Sequence, residues 1–301
     1  MAPVLLIFFN RTDTTLQVIE QLRLAKVSKL YLYCDAGRPN KAAEAQEVEA
    51  ARALITQSID WPCEVKTNFL NQNVGPRLAI GNAISWLFEH EEAGIILEHD
   101  CLPHPSFFPY CNSLLEKYKT DQRILHIAGD NFHFGKRLNT DSYFFSKYPY
   151  IWGFATWRRA WQQYDVDMKA FPNFKKAGLI KEIIQDKRLA KYWENIFELT
   201  YQKKVESWDY QWTFSVWNAN GLSIIPQVNL VSNIGFDAKA LNTTNPDHAI
   251  ANMKQEELIF PLQHPTQFVP LLQAENQIWN EYLAPHWKAY WKQRLRKLIG
   301  K

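Results

Sequence analysis

The sequence predicts an α/β fold with a mostly parallel sheet flanked by helices. Strand-like and helix-like segments alternate through the first hundred residues, as expected for parallel strands joined by right-handed crossovers. One apolar run, residues 95–97, stops abruptly at Glu98, His99 and Asp100, which is typical of a strand buried on both faces. The 301 residues are 47% hydrophobic and 22% charged, a globular composition with ample length for a sizeable core.

Periodicity and turn residues assign the individual elements in chain order. Strands are expected over residues 4–9, 29–34, 64–69, 95–97, 123–128 and 222–225. Helices are expected over residues 13–25, 41–59, 76–90, 106–118, 174–185, 189–203 and 286–299, together with a helix that Gly221 ends. Residues 132–165 are aromatic and follow no regular period, so no element is assigned there.

Charge and cysteine content narrow the classes of function. The formal net charge of +3 is too small to indicate nucleic-acid binding by itself. The four cysteines form no C-x-x-C pair and show no metal-ligand spacing, which indicates reduced thiols. The apolar run at residues 4–9 is too short for a signal sequence or a membrane span. We therefore expect a cytoplasmic protein with no nucleic-acid partner.

The expected C-terminal helix, residues 286–299, is basic and amphipathic. Trp287, Trp291, Leu295 and Leu298 form one stripe, and lysines and arginines occupy much of the remaining surface. Such a helix could lie on the anionic inner face of a membrane. It could equally pack its stripe on its own domain or on a partner chain, and the pattern leaves both alternatives open.

Polar residues follow each of the first three predicted strands. Asn10 and Arg11 follow the first, Asp35 follows the second, and Asn73 and Gly75 follow the third. Parallel strands bring these ends to one edge of the sheet, where ligands bind in open α/β folds. A nucleotide requires a carboxylate for its base or ribose, an arginine for phosphate and a glycine where the backbone approaches. Each residue alone also fits a turn or a helix cap, so the prediction depends on their joint alignment.

Seven segments in order carry a resemblance to a known family. They read FFNR, YCDAG, NQNVGPRLAIGNAISWLFE, ILEHDCLP, WGFATWRRAW, SWDYQW and NLVSNIG. This series resembles bacterial nucleotide-diphospho-sugar transferases of the Rossmann-like GT-A fold, similar to the inverting N-acetylglucosaminyltransferases that act on glycoproteins. The resemblance implies a nucleotide-sugar part over residues 1–130, an acceptor-side, aromatic-rich part of the same domain over 131–240, and a C-terminal extension over 241–301.

The resemblance also implies roles for individual residues. Arg11 and Asp35 match nucleotide-contacting positions, with Asp35 placed to meet the uracil. Glu98, His99 and Asp100 match an acidic motif whose last member binds a divalent metal, Mn²⁺ or Mg²⁺. Here the middle acid is His99, a departure that leaves the metal ligand intact and puts the middle residue's sugar or ribose contact in question.

On the acceptor side, Asp209 matches the position of the catalytic base, although the first position of an apolar helix also suits an ordinary N-cap. Trp152 and Trp208 are the tryptophans expected nearest the site, as a platform for a sugar. Transfer of a sugar to a hydroxyl requires a base, and a carboxylate can accept the proton of the attacking hydroxyl.

These features predict a metal-dependent hexosyl- or N-acetylhexosaminyltransferase. It would move a sugar from a nucleotide-diphosphate donor, UDP-linked by resemblance, to a hydroxyl of a glycan or glycoconjugate, with inversion. One alternative is an inactive GT-A-fold glycan-binding or scaffold protein. A nucleotidyltransferase is the other alternative, and it is disfavoured because NRTDTT follows the first strand where a Gly-rich loop would bind a triphosphate.

Overall fold

The computed structural model describes residues 1–237 and 248–278. Its strands are β1 (Val4–Phe8), β2 (Lys29–Cys34), β3 (Glu64–Phe69), β4 (Ala93–Glu98), β5 (Cys101–Pro103), β6 (Ile124–Ala128), β7 (Tyr143–Ser146), β8 (Phe154–Trp157), β9 (Leu222–Pro226) and β10 (Val231–Asn233). Its helices are α1 (Thr12–Leu24), α2 (Ala42–Gln57), α3 (Pro76–His90), α4 (Phe107–Lys117), α5 (Arg158–Trp161), α6 (Phe171–Lys176), α7 (Leu179–Ile183), α8 (Lys187–Tyr201), α9 (Asp209–Asn218) and α10 (Leu272–Ile278).

The central sheet joins a parallel half to a mixed half, in the order β3-β2-β1-β4-β8-β6-β9-β7. The first four strands are parallel neighbours, which is the strand order of a Rossmann-like half-sheet. β8 then lies antiparallel between β4 and β6, and β9 is parallel to β6. The expected α/β fold with a mostly parallel sheet is confirmed, and residues 1–130 and 131–240 both contribute strands to it.

The core consists largely of strands that are covered on both faces. All five residues of β1 are buried, and Ile95, Ile96 and Leu97 of β4 are at most 1% exposed. From the helices, α4 contributes Phe107 and Phe108, which are both fully buried. Because neither face meets water, these strands are continuously apolar, and their polar residues come only where they end.

The second half differs from the sequence-based expectation in two places. The helix expected over residues 174–185 is divided into α6 and α7, because Gly178 between them has φ of 71°, in the left-handed region. The region without assigned elements, residues 132–165, contains β7, β8 and α5. All four residues of β8 are buried, so that this strand shows no polar alternation from which a period could be read.

The expected C-terminal helix over residues 286–299 lies outside the described residues, and its membrane contact stays a prediction. Within the described part of the chain, no helix has both the length and the apolar character needed to cross a membrane. All four cysteines are free thiols.

A buried histidine fixes α9 to the sheet. The indole N–H of Trp212 donates to Nδ1 of His126 on β6 at 3.1 Å, so Nε2 carries the proton and donates to the Tyr150 carbonyl at 2.6 Å. Phe154 of β8 stacks on the imidazole at a centroid distance of 4.8 Å. Burial lowers the pKa of His126 to about 3, so the ring is neutral. Asp209, the first residue of α9, is therefore held against β6 and β8.

We expect His126 to make stability fall with acid. Its pKa is about 3 when folded and about 6.5 when unfolded, so the unfolded chain binds the extra proton between these pH values. This contribution is complete above pH 6.5 and is lost by about 1.4 kcal/mol per pH unit below it. Urea unfolding from pH 8 to pH 5 should show a flatter pH dependence for His126→Gln than for the wild type. His90→Gln, on the exposed end of α3, should keep the wild-type slope; equal slopes for all three proteins would contradict the assignment.

Candidate functional site

Asp35, at the end of β2, organises the loop that precedes α3. Its carboxylate accepts hydrogen bonds from the backbone N–H groups of Ala36, Val74 and Gly75 at 2.9–3.2 Å, and from the Asn73 amide at 3.0 Å. Gly75 has φ of 78°, a left-handed conformation that favours glycine. A carboxylate has about four lone-pair sites, so this loop fills those of Asp35. The structure thus brings Asp35, Asn73 and Gly75 together as predicted, with Asp35 holding the loop in place; its contact with a uracil stays a prediction.

Arg11, at the end of β1, connects the first strand to the segment after β10. Its side chain is 9% exposed, and its guanidinium donates to the carboxylate of Asp237 at 2.8 Å and to the carbonyl of Gly235 at 3.4 Å. The neighbouring Asn10 donates instead to Glu47 on α2 at 2.8 Å, away from Arg11's partners. Arg11 therefore lies beside the segment that also contacts Asp100, whereas Asn10 lies against α2.

The turn between β4 and β5 holds Asp100 against Gly235. Asn233 of β10 pairs with Cys101 of β5, and the N–H of Ile234 donates to the Asp100 carbonyl at 2.9 Å. A Cβ on Gly235 would lie 2.9 Å from Cγ of Asp100 and nearer still to its Oδ2. The carboxylate therefore occupies space that any side chain at position 235 would fill.

Three carboxylates share the cleft beside β4, namely Glu98, Asp100 and Asp209. Burial raises the pKa of Glu98 to about 8, the charges of Asp100 and Asp209 add to the shift, and a hydrogen bond from the Trp208 side chain opposes it. Asp209 lies at the N-terminus of α9, about 110 residues after the acidic turn in the sequence, and folding brings the two together. The structure thus unites the metal-motif acids with the predicted base.

The environment of Asp209 suits a base. Burial raises the pKa of its carboxyl to about 6, and hydrogen bonds from its own backbone N–H and that of Tyr210 limit the rise. A carboxylate with a pKa near 6 is ionised at neutral pH and still has a useful affinity for a proton. Asp209 is also exposed enough to meet a ligand, since its side chain is only half-buried.

The oxygen donors beside β4 fit a hard divalent cation held with the help of a ligand. In residues 1–237 and 248–278, no group of three histidine, cysteine or acidic side chains forms a ready-made metal site. Mg²⁺ is commonly held by one or two carboxylates together with substrate phosphates. Asp100, 17% exposed in its Gly235 cradle, supplies one such carboxylate, with Glu98 near it. His99 Nε2 lies 3.8 Å from Oδ2 of Asp100, so its ring also faces this carboxylate.

The two tryptophans expected near the site differ in exposure. Trp208 is 4% exposed and stacks on Phe154 at 5.8 Å, so it contributes its hydrogen bond to Glu98 and little open ring surface. Trp152 is half-buried and makes edge contacts with Phe132 at 5.0 Å and Phe236 at 5.8 Å. Trp152 is therefore the better placed of the two for contact with a sugar.

Two further residues, Tyr164 and Arg77, were not predicted from the sequence. Tyr164 follows α5, and Arg77 is in the first turn of α3; the charges of Arg77 and Asp209 both act on the Tyr164 phenol. Arg77 stands in one of the motif segments, but Tyr164 lies outside all of them, in a region with no readable period. Tyr164 can be identified as a residue of this site only from the packing of α5 against α3 in the folded chain.

Comparisons with known proteins show remote structural similarity only. No protein-family profile and no curated protein sequence matches this chain. Among solved structures, apo UDP-glucose pyrophosphorylase aligns over 77% of this chain and 93% of its own, at 13% identity and a TM-score of 0.39. HddC from Yersinia pseudotuberculosis, in a complex with GMP-PN, aligns over 53% of this chain and 78% of its own, at 12% identity and a TM-score of 0.33.

A third structure, 4-diphosphocytidyl-2C-methyl-D-erythritol synthase from Anaerococcus prevotii, aligns over 46% of this chain and 58% of its own, at 9% identity and a TM-score of 0.30. Similarities of this size carry no argument about activity. The fold assignment therefore rests on the strand order and pairing of this chain.

We expect Asp35→Ala to destabilise the protein by at least about 2 kcal/mol, because one buried and two partly buried N–H groups would lose a charged acceptor. Urea unfolding at pH 7 measures the loss. Asp60→Ala is the matched control: its carboxylate is 60% exposed and pairs with Arg23 at the surface, so its removal should cost at most about 1 kcal/mol. Equal losses for the two variants would contradict the role assigned to Asp35.

The metal-binding role expected of Asp100 predicts that Gly235→Ala weakens Mn²⁺-dependent binding of UDP by about 10- to 100-fold, because the added Cβ displaces the Asp100 carboxylate. Isothermal titration with UDP, with and without Mn²⁺, measures the effect. Gly178→Ala provides the control for an added Cβ without a clash, because no atom lies within 4 Å of it; its positive φ adds a backbone strain that Gly235 does not have. Wild-type affinity in Gly235→Ala would remove Asp100 from the metal site.

Proposed function

We propose that this chain is a metal-dependent glycosyltransferase that moves a sugar from a UDP-sugar to a hydroxyl of a glycan or glycoconjugate, with inversion. The observation that carries the proposal is the pairing of Asp209, a half-buried carboxyl with a pKa of about 6, with the acidic turn of Glu98 and Asp100. Together they offer a base and a cation-binding carboxylate in one cleft. The ends of β1, β2 and β3 lie at the same edge of the sheet and suit the nucleotide.

In this mechanism Asp209 accepts the proton of the attacking hydroxyl. As oxygen approaches the anomeric carbon its O–H becomes acidic, and a carboxylate with a pKa near 6 can take the proton as the new bond forms. The backbone N–H groups at the start of α9 hold this carboxylate in place and keep it ionised at neutral pH. Attack from the side opposite the leaving diphosphate inverts the anomeric centre.

The leaving diphosphate requires positive charge and hydrogen-bond donors. Asp100 would hold a divalent cation, which when bound neutralises charge on the diphosphate. The charge of Arg77, in the first turn of α3, acts on Tyr164, so Arg77 is a candidate to contact this diphosphate. Glu98, with a pKa of about 8, is protonated at neutral pH and can donate a hydrogen bond to a ligand oxygen.

The second candidate is a nucleotidyltransferase of the pyrophosphorylase kind, the activity by which the first similar structure is described. The two reactions use the same nucleotide sugar and break different bonds. A glycosyltransferase breaks the bond between the anomeric carbon and UDP. In a pyrophosphorylase, pyrophosphate attacks the phosphorus next to the nucleoside and displaces sugar 1-phosphate. Against the second reaction, the segment after β1 is NRTDTT and has no glycine with which to cradle a triphosphate.

One assay separates these reactions. The protein is incubated with UDP-glucose, UDP-galactose or UDP-N-acetylglucosamine and Mn²⁺, with and without pyrophosphate. Release of UDP and free sugar, through attack by water in place of the acceptor, supports glycosyl transfer. Formation of UTP and sugar 1-phosphate only when pyrophosphate is present would establish the nucleotidyltransferase. Binding of a glycan array without turnover of any donor would identify an inactive binding protein.

We expect Asp209→Asn to lower the rate of UDP release at least about 100-fold while leaving the affinity for UDP unchanged, because it removes the base and keeps the shape. Asp100→Asn should instead lose the Mn²⁺-dependent part of UDP binding. Asp60→Asn, at the exposed surface, serves as the control and should behave like the wild type. A near-normal rate in Asp209→Asn would exclude this residue as the base.

A further inference from the structure

Tyr164 is fixed beside the first turn of α9 by a layer of aromatic rings. Its ring stacks face to face on Trp161, with centroids 4.3 Å apart and planes within 12°. Trp161 donates from its indole to Ser85 of α3 at 2.9 Å and contacts Trp212 at 5.0 Å and Trp208 at 6.4 Å. These two tryptophans flank Asp209 in the sequence, and the charge of Asp209 acts on the Tyr164 phenol, so the phenol lies within electrostatic range of the proposed base.

Helix α3 leaves space for this phenol by having a glycine at position 81. A Cβ on Gly81 would lie 3.1 Å from Cε1 of Tyr164 and 3.2 Å from its hydroxyl oxygen, tighter than ordinary contacts. Glycine weakens the interior of a helix, because it has the most conformational freedom to lose on folding. The position of the hydroxyl is therefore specified from two sides, by Trp161 and by α3.

The hydroxyl of Tyr164 has no hydrogen-bond partner in the described part of the chain, although its oxygen is buried. A buried hydroxyl without a partner destabilises the folded state, and a phenylalanine would fill nearly the same volume without that penalty. A buried polar group without a partner in a native structure calls for an explanation. One explanation is a partner that is in place only in the complex with substrate.

The proposed base has the acceptor sites that such a partner needs. Asp209 uses its carboxylate to accept from two backbone N–H groups, which leaves about two lone-pair positions. The attacking hydroxyl occupies one of these, and the Tyr164 O–H can occupy the other. Asp165 beside Tyr164, Arg77 on α3 and Glu98 at the end of β4 are the other charged or titratable groups that face this pair.

We infer that Tyr164 is a positioning residue for the base: in the complex with substrate its hydroxyl donates a hydrogen bond to Asp209 and aims that carboxylate at the acceptor hydroxyl. The inference rests on the proposed function, because it assigns Asp209 the proton-accepting role. The phenol keeps its own proton throughout and only the Asp209 carboxylate gains one. Hydrogen bonds of this kind are often long or absent in the free enzyme and tighten when the substrate is bound.

The test is Tyr164→Phe, assayed by UDP release from the UDP-sugar that the wild type turns over. We expect kcat to fall about tenfold to a hundredfold, the range for a lost hydrogen bond to a charged group. KM for the UDP-sugar should stay unchanged, and Tm should stay the same or rise, because the variant removes an unpartnered buried hydroxyl. Tyr201→Phe on α8, with a side chain 40% exposed, is the matched control and should keep the wild-type kcat.

A double variant tests whether Tyr164 acts through Asp209. In the Asp209→Asn background, Tyr164→Phe should cause little further loss, because residues that act as a unit are not additive. Gly81→Ala is a second variant that disturbs the phenol. The alanine Cβ crowds Tyr164 although alanine favours the helix more than glycine does, so this variant should also lower kcat.

Three results would overturn the inference: a wild-type kcat in Tyr164→Phe, a raised KM with unchanged kcat, or a lowered Tm that accounts for the lost activity. A wild type that releases no UDP from any UDP-sugar defeats the proposed function itself, and this inference with it. The two failures are therefore distinguished by the wild-type assay alone.

Discussion

Asp100 can hold its position only because residue 235 has no side chain. β4 carries apolar residues out of the core and turns through His99 and Asp100 into β5, so Asp100 lies in the turn between the two strands. β10 pairs with β5 and places Gly235 directly against that carboxylate, while Arg11 donates to the Gly235 carbonyl from the end of β1. The edge of the parallel half-sheet and the segment after β10 are thereby joined at one acidic residue.

Burial raises the pKa of the acids in this cleft, and hydrogen bonds oppose the rise. Apolar and aromatic packing around β4 and α9 raises the pKa of both Glu98 and Asp209, and the acids also repel one another. A different hydrogen bond limits the pKa of each acid: the Trp208 side chain donates to Glu98, and backbone N–H groups at the N-terminus of α9 donate to Asp209. As a result Glu98 is protonated at neutral pH and Asp209 is ionised, so two neighbouring carboxyl groups are prepared for different tasks.

A layer of aromatic rings behind the cleft holds these groups rigidly in place. His126, Phe154 and Trp208 stack from β6 and β8 toward α9, and Trp161 extends the layer to α3. Rings have few rotatable bonds and pack in specific geometries, so they lose little entropy when they are ordered. Most of the tryptophans in this layer are thus structural and hold Asp209 in place, and the half-buried Trp152 stays the candidate for the sugar contact that we propose.

The sequence by itself determined the parallel half of the sheet, because its strands are continuous apolar runs and its helices carry clear periods and stops. It also identified the residues at the strand ends, since parallel strands bring their carboxyl ends to one edge whatever the details of packing. Asp35, Glu98 and Asp100 could be selected in this way, whereas Asp209 was selected only through its motif in the family resemblance, because the local pattern alone indicates a helix N-cap.

Only the tertiary structure decided what several of these residues do. The Asp35 carboxylate accepts hydrogen bonds from the loop before α3, a segment far from it in the sequence. The ring of Trp208 packs on Phe154 in the core, another contact between distant segments. β7 and β8 escaped prediction because a fully buried strand among aromatic residues has no polar alternation. Tyr164 carries no local signal at all: its importance arises from a glycine on α3, a tryptophan on α5 and a carboxylate on α9, which only folding brings together.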